Sequence, residues 1–311
     1  MKSPHIHFGH SIALTALVIA LMLACTASAQ RPIERAIILN PLANPAAITA
    51  DEGKSSWFTQ VGGWGSFGNY GLHSDRDHAW YQQLGAYMEI FRKGNRSSLA
   101  FTSQIEFIAD LQNDINFNPR AIFWEEGLLY THKIGASYLQ VGYYHRCKHD
   151  IDNLEIAQER SLIFGSIMAS YTFPLSLLGD EDLLMSLQYD HYTVTWDRRT
   201  PLAFEDGTKD WDSLIASLRL NSSWQLPIRY AADGQSDVNF YIDGYAMATL
   251  YGKGNWLSGQ LRAEIAKKTL NGEVRFGLHV EHLGDTGIPV EPVSGTLIGV
   301  GIRVMTAGSV R

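Results

Sequence analysis

From Trp57 onward, apolar and polar residues alternate with a period of two. In "SLAFTSQIEFIAD", residues 98–110, Leu99, Phe101, Ile105 and Phe107 share one face, and Ala100, Thr102, Gln104, Glu106 and Asp110 share the other. Side chains that switch faces at every residue belong to a strand, not a helix. The pattern recurs along the chain. Trp80, Leu84, Ala86, Met88 and Ile90 oppose Tyr81, Gln83, Gly85, Tyr87 and Glu89. Leu257, Leu261, Ala263 and Ile265 oppose Ser258, Gln260, Arg262 and Glu264, and Val274, Phe276, Leu278 and Val280 oppose Arg275, Gly277, His279 and Glu281. Each predicted strand has one greasy face and one charged face.

Connections between these strands alternate in length. Short ones fall at "KGN" (93–95), "KIGA" (133–136) and "NGE" (271–273). Longer polar ones fall near 68–78, 112–120, 146–159, 197–210 and 282–295, and two longer turns, "PLSLLGDED" and "PIRYAADGQSD", belong with the short set. A soluble β-sandwich also alternates, but about a dozen long meander strands joined by tight turns close more naturally into a barrel than into two sheets. The fold class expected is therefore all-β, an antiparallel transmembrane barrel of about twelve strands, an even number with both chain ends on the periplasmic side. The 28 glycines suit close strand packing, and 8 tryptophans and 14 tyrosines suffice for interfacial girdles. Over essentially all of its mature length the chain resembles a bacterial outer-membrane β-barrel. That resemblance implies outer-membrane lipid and the barrel-insertion machinery as partners. It departs from the pattern in having no aromatic residue after Phe276 for that machinery to read.

Ahead of the strands, Lys2 and three histidines precede an apolar run of 14 residues, Ser11 to Ala24, followed by "ASA" at 27–29. This is the pattern of a secretory signal peptide over residues 1–29, cut before Gln30. The run falls short of the roughly 20 apolar residues a spanning helix needs. Lipoprotein processing at Cys25 is the rival reading, with Leu23 a poor fit two residues before it. Residues 30–56, punctuated by Pro and Ala, read as a periplasmic or barrel-plugging lead-in, and residues 57–311 as the barrel. The formal net charge of −7 and the lack of clustered Lys and Arg argue against a nucleic-acid partner. Cys147 stands alone after the leader, so no disulfide holds the fold.

The inward parity carries Glu89, Glu106, Asp190, Asp243 and Glu264 together with Arg219, Arg262, Arg275, His279 and Arg303. Balanced charge of this kind suits a salt-bridged polar core. A barrel of about twelve strands is also narrower than the roughly 16–18 strands that leave an aqueous channel. A narrow selective pore and a lumen-bound ligand are the alternatives.

The stretch "GYYHRCKHDIDN", residues 142–153, gathers His145, Cys147, His149, Asp150, Asp152 and Asn153. Leu139, Val141 and Tyr143 form the apolar face of the strand before it, so His145 and Cys147 continue that outward face to the external rim. In this placement "HRC" resembles the His-x-Ser pair of outer-membrane phospholipase A and the lipid A deacylase barrels, with cysteine where those families carry serine. The resemblance implies His145 as general base and Cys147 as nucleophile of a lipid ester hydrolase. Asp150, Asp152 or Asn153 would orient the imidazole, and calcium would assist at an oxyanion.

As metal ligands, His145 and His149 lie roughly 13 Å apart on an extended strand, too far to share an ion unless the chain turns after Cys147. No metal site is assigned. The plain alternative makes the stretch a charged rim loop, with Arg146 and Lys148 meeting lipid phosphates. "YDHY" (189–192) and "VEHLGD" (280–285) place Asp190 and Glu281 inward and His191 and His282 outward, as rim residues. Substrate and oligomeric state are not written in these patterns.

Overall fold

The computed structural model describes residues 38–43, 54–73, 77–110, 118–150, 159–176, 182–200, 214–230, 236–251, 254–288 and 294–306. Twelve strands follow one another: β1 (Ser55–His73), β2 (Trp80–Lys93), β3 (Ser97–Asp110), β4 (Asn118–Ile134), β5 (Ser137–Asp150) and β6 (Glu159–Leu175). Then come β7 (Asp182–Thr200), β8 (Leu214–Tyr230), β9 (Ser236–Tyr251), β10 (Gly254–Lys268), β11 (Gly272–Leu283) and β12 (Gly295–Thr306). Each pairs antiparallel with its sequence neighbours, and β1 closes on β12 through pairs such as Gly68↔Gly301 and Ser66↔Arg303. Closure gives every ladder group a partner, the condition for spanning lipid with strands.

The period of two sorts the side chains. Along β12, buried and exposed residues alternate from Gly295 to Met305, with Ile298, Val300, Ile302 and Val304 outward. On β11, Phe276 and Leu278 are 59% and 61% exposed while Arg275 beside them is buried. Exposed leucine, isoleucine, valine and phenylalanine recur around the wall, and buried charge fills the centre, the inverse of a water-soluble globule. A closed antiparallel barrel with an apolar outside and a charged inside is membrane-spanning, and the protein resides in the bacterial outer membrane.

The short turns 94–96, 135–136 and 269–271 lie at the end where β1 begins and β12 finishes, periplasmic in such barrels. Leu175, Asp182, Tyr230 and Ser236 end their strands on the same side. The turn at Gly135 needs a positive φ, +62°, which glycine adopts without strain. At the seam, the Tyr81 ring lies flat across two glycines. A Cβ at Gly68 or Gly301 would come within 2.5 Å or 2.2 Å of its hydroxyl.

Two differences from the sequence reading follow from strand length. β5 runs on to Asp150 where a loop was expected from 146, so the parity continues and Arg146 and Lys148 point into the barrel, fully buried. They do not reach lipid phosphates. The chain makes no turn after Cys147, so His149 stays four residues along an extended strand from His145. The other difference is a tight external connection, Tyr251 to Gly254 between β9 and β10, where the other outer-end connections are longer.

Candidate functional site

All ten lumen residues chosen from the sequence are buried: Glu89, Glu106, Asp190, Arg219, Asp243, Arg262, Glu264, Arg275, His279 and Arg303. They fall into separate networks. On β9 to β12, Arg303 binds Glu264 in bidentate fashion and also donates to Asp243. Arg275 bridges Asp243 at 2.8 Å and Glu273 at 2.6 Å. On β4 to β7, Arg146 pairs with Glu125, donates to Ser166 at 2.7 Å and approaches Asp190 at 3.4 Å. Near the periplasmic end, Glu89 accepts from Arg92, Ser98 and Thr59. Glu106 accepts from Gln83 at 2.9 Å. Arg219 stacks over Tyr245, and Arg262 donates to Gln260 at 2.7 Å beside Tyr81. His279 sits edge-on to both Tyr70 and Tyr81.

A buried segment lies at each end of this lumen. At the periplasmic end Leu39 packs among Tyr87, Leu129, Tyr144 and Met305, followed by a single 3₁₀ turn, Pro41–Ala43. The wall grips this segment by its carbonyls: Gln140 donates to Leu39 O at 2.8 Å, and Arg92 and Gln60 donate to Pro41 O at 2.7 and 2.6 Å. At the outer end residues 284–288 are all buried. Asp285 forms a fully buried pair with Arg160 at 2.8 Å and caps Gly287 N, while Ile288 packs with Tyr70, Phe123 and Leu297. Glu125, Arg160 and Asp285 were not singled out from the sequence, and Arg146 was read there as a rim contact to lipid phosphate. Carrying the β5 parity past Tyr144 would have found Arg146, and its partner Glu125 with it.

The outer wall holds the second candidate. His145 and Cys147 share the outward face of β5, both half-buried, and Cys147 is a free thiol. His145 stands opposite Glu126 on β4 and Gly165 on β6, and Cys147 stands opposite Trp124 and Ile163. Trp196 follows Ile163 in register on β7. Trp124 stands beside Cys147, Trp196 lies two strands further on in register, and both are 42% exposed. Such an aromatic girdle marks the headgroup level of the outer leaflet. A β-bulge lies beside the site at Gly165/Ser166, where Thr193 donates to Gly165 O at 3.2 Å. Bulges of this kind often sit next to functional sites.

Of the expected orienting residues, Asp150 takes the register position opposite Ala121, while its side chain, Asp152 and Asn153 lie outside the described residues. His191 is on β7, and His282, bonded to Thr296 at 3.0 Å, is on β11 across the barrel, so the three wall histidines do not assemble. Among the described residues no group of three or more His, Cys, Asp or Glu is placed to hold a metal ion. Calcium takes six to eight oxygen ligands. The described wall residues around His145 offer one carboxylate, Glu126, and do not fit it.

No family model matches the chain, and no curated protein matches it in sequence. Among solved structures it is similar to the Salmonella typhi outer membrane phospholipase dimer with bound calcium, at 10% identity and a TM-score of 0.43 over 83% of this chain and 95% of that one. It is also similar to the Pseudomonas putida toluene transporter TodX, at 9% identity and a TM-score of 0.40 over 90% and 99% of the two chains. The translocator domain of the autotransporter NalP from Neisseria meningitidis aligns at 10% identity and a TM-score of 0.35 over 96% and 95%.

Proposed function

We propose that this outer-membrane barrel is a sealed scaffold and not a diffusion pore. The observation that carries the reading is the lumen, crossed by buried ion-pair networks, with residues 38–43 packed into one end and residues 284–288 buried at the other. A buried guanidinium with two carboxylate partners is costly to displace, so these charges knit the interior and do not conduct. Planar-bilayer recording of the refolded protein should give no discrete steps above the bare bilayer. Regular conductance steps in several salts would sink the reading. On this view residues 1–29 serve export, and the insertion machinery builds the barrel from the periplasm.

A sealed lumen turns attention to the wall, where one observation favours a second reading, hydrolysis of lipid esters. Cys147 and His145 share the outward face toward the outer end of β5, with the exposed Trp124 opposite Cys147, an arrangement that suits ester linkages at the lipid–water boundary. In this reading His145 takes the thiol proton and Cys147 sulfur attacks the ester carbonyl carbon. The alcohol leaves carrying the proton from His145, and water then hydrolyses the thioester to release the acid. Dispersed phospholipid should be cleaved by the protein in detergent, and both His145→Ala and alkylation of Cys147 should abolish cleavage. No hydrolysis by the unmodified protein ends this reading and leaves the first standing.

A further inference from the structure

We propose that Glu126 is a positioning residue for His145, completing a carboxylate–imidazole–thiol array on the lipid-facing wall. The inference deepens the hydrolase reading and rests on it for the substrate alone. A carboxylate on the lipid face of a barrel strand is disfavoured. Among the described side chains, the other acids of the spanning strands either face the lumen or, like Asp237, sit at the periplasmic rim among cations. Glu126 has no such cation and forms no ion pair among the described residues. Its neighbour in sequence, Glu125, has an ordinary task inside the barrel on Arg146.

The ladder supplies the reason for a carboxylate here. Glu126 and His145 are directly opposite across β4 and β5. Residues so placed have Cβ atoms about 4.5–5.5 Å apart. The other cross-strand neighbour of His145 is Gly165, which has no side chain to offer. The Tyr143 hydroxyl already occupies the space above that glycine, where a Cβ would lie 2.5 Å from it. Glu126 is thus the one carboxylate opposite His145, with the Tyr143 and Thr193 hydroxyls over Gly165 on the other side, and Cys147 lies two residues further along the same face. Acid, imidazole and nucleophile thus share one face of adjacent strands, within reach of the rotamer changes that would bring carboxylate to imidazole.

The sign of one substitution tests this. Cys147 in the folded, detergent-held protein is alkylated with iodoacetamide between pH 5 and 9, for the natural sequence and for Glu126→Gln, Glu126→Asp, His145→Ala and the Glu126→Gln/His145→Ala pair. Heat-modifiable gel mobility confirms that each barrel is folded. If Glu126 holds His145, Glu126→Gln slows alkylation near neutral pH by about tenfold, the worth of one charged hydrogen bond. Glu126→Asp then recovers part of the rate, and the double variant is no slower than His145→Ala. If Glu126 acts only as a charge near the thiolate, Glu126→Gln speeds alkylation, and the proposal falls. An unchanged rate also overturns it. Because the readout is thiol chemistry, a protein that shows this pattern but cleaves no lipid loses the hydrolase reading and keeps the array.

Discussion

At the residue scale, the meaning of a charge is set by the face it takes. Glu125 and Glu126 are adjacent and chemically identical, yet one is buried against Arg146 and the other looks toward lipid, because successive strand residues point to opposite sides. The same logic separates strong ion pairs from weak ones. Arg303 is buried between Glu264 and Asp243, so Arg303→Met leaves two buried carboxylates short of a cation and should cost about 3–5 kcal/mol. Arg229, 62% exposed, pairs with Asp237 in water at the rim, and Arg229→Met should leave stability nearly unchanged. Urea unfolding in lipid vesicles, followed by tryptophan fluorescence, measures both. Equal losses would mean that water reaches the Arg303 network.

At the element scale, the strands were legible in the sequence and their ends were not. Alternation reports a greasy outside against a polar inside, and that contrast is strong wherever lipid covers the wall, as along β10 and β11. Past Cys147, β5 is polar on both faces, with Lys148 inward and His149 exposed. Pairing continues there without a hydrophobic signature, so β5 reaches Asp150 and carries Arg146 and Lys148 inward past the point where a loop was expected. The His145 and Cys147 pair was visible because its strand still had an apolar face below it. Glu126 was not, because its role depends on which residue of β5 stands opposite, and register is a property of two strands together. The seam between β1 and β12 was hidden for the same reason, since Tyr81 from β2 reaches across Gly68 to Gly301 and no local pattern joins the three.

At the scale of the whole molecule, about twelve strands enclose more space than the roughly eight whose interior side chains just fill, and less than a porin. The surplus is taken up in series along the axis, by the segment 38–43 at one end and by residues 284–288 at the other, with charge between them. Seals in series make a definite prediction. Leu39→Asp weakens the periplasmic seal by setting a carboxylate among Tyr87, Leu129 and Tyr144. Asp285→Ala weakens the outer seal by releasing Arg160 and the Gly287 cap. Either change alone should leave bilayers silent, because the other seal still stands, and the two together should admit small, brief conductance steps. Steps from one single variant would assign the whole barrier to that end. Silence from the double variant would assign it to the ion pairs of Arg303, Arg275 and Arg146, which neither substitution touches.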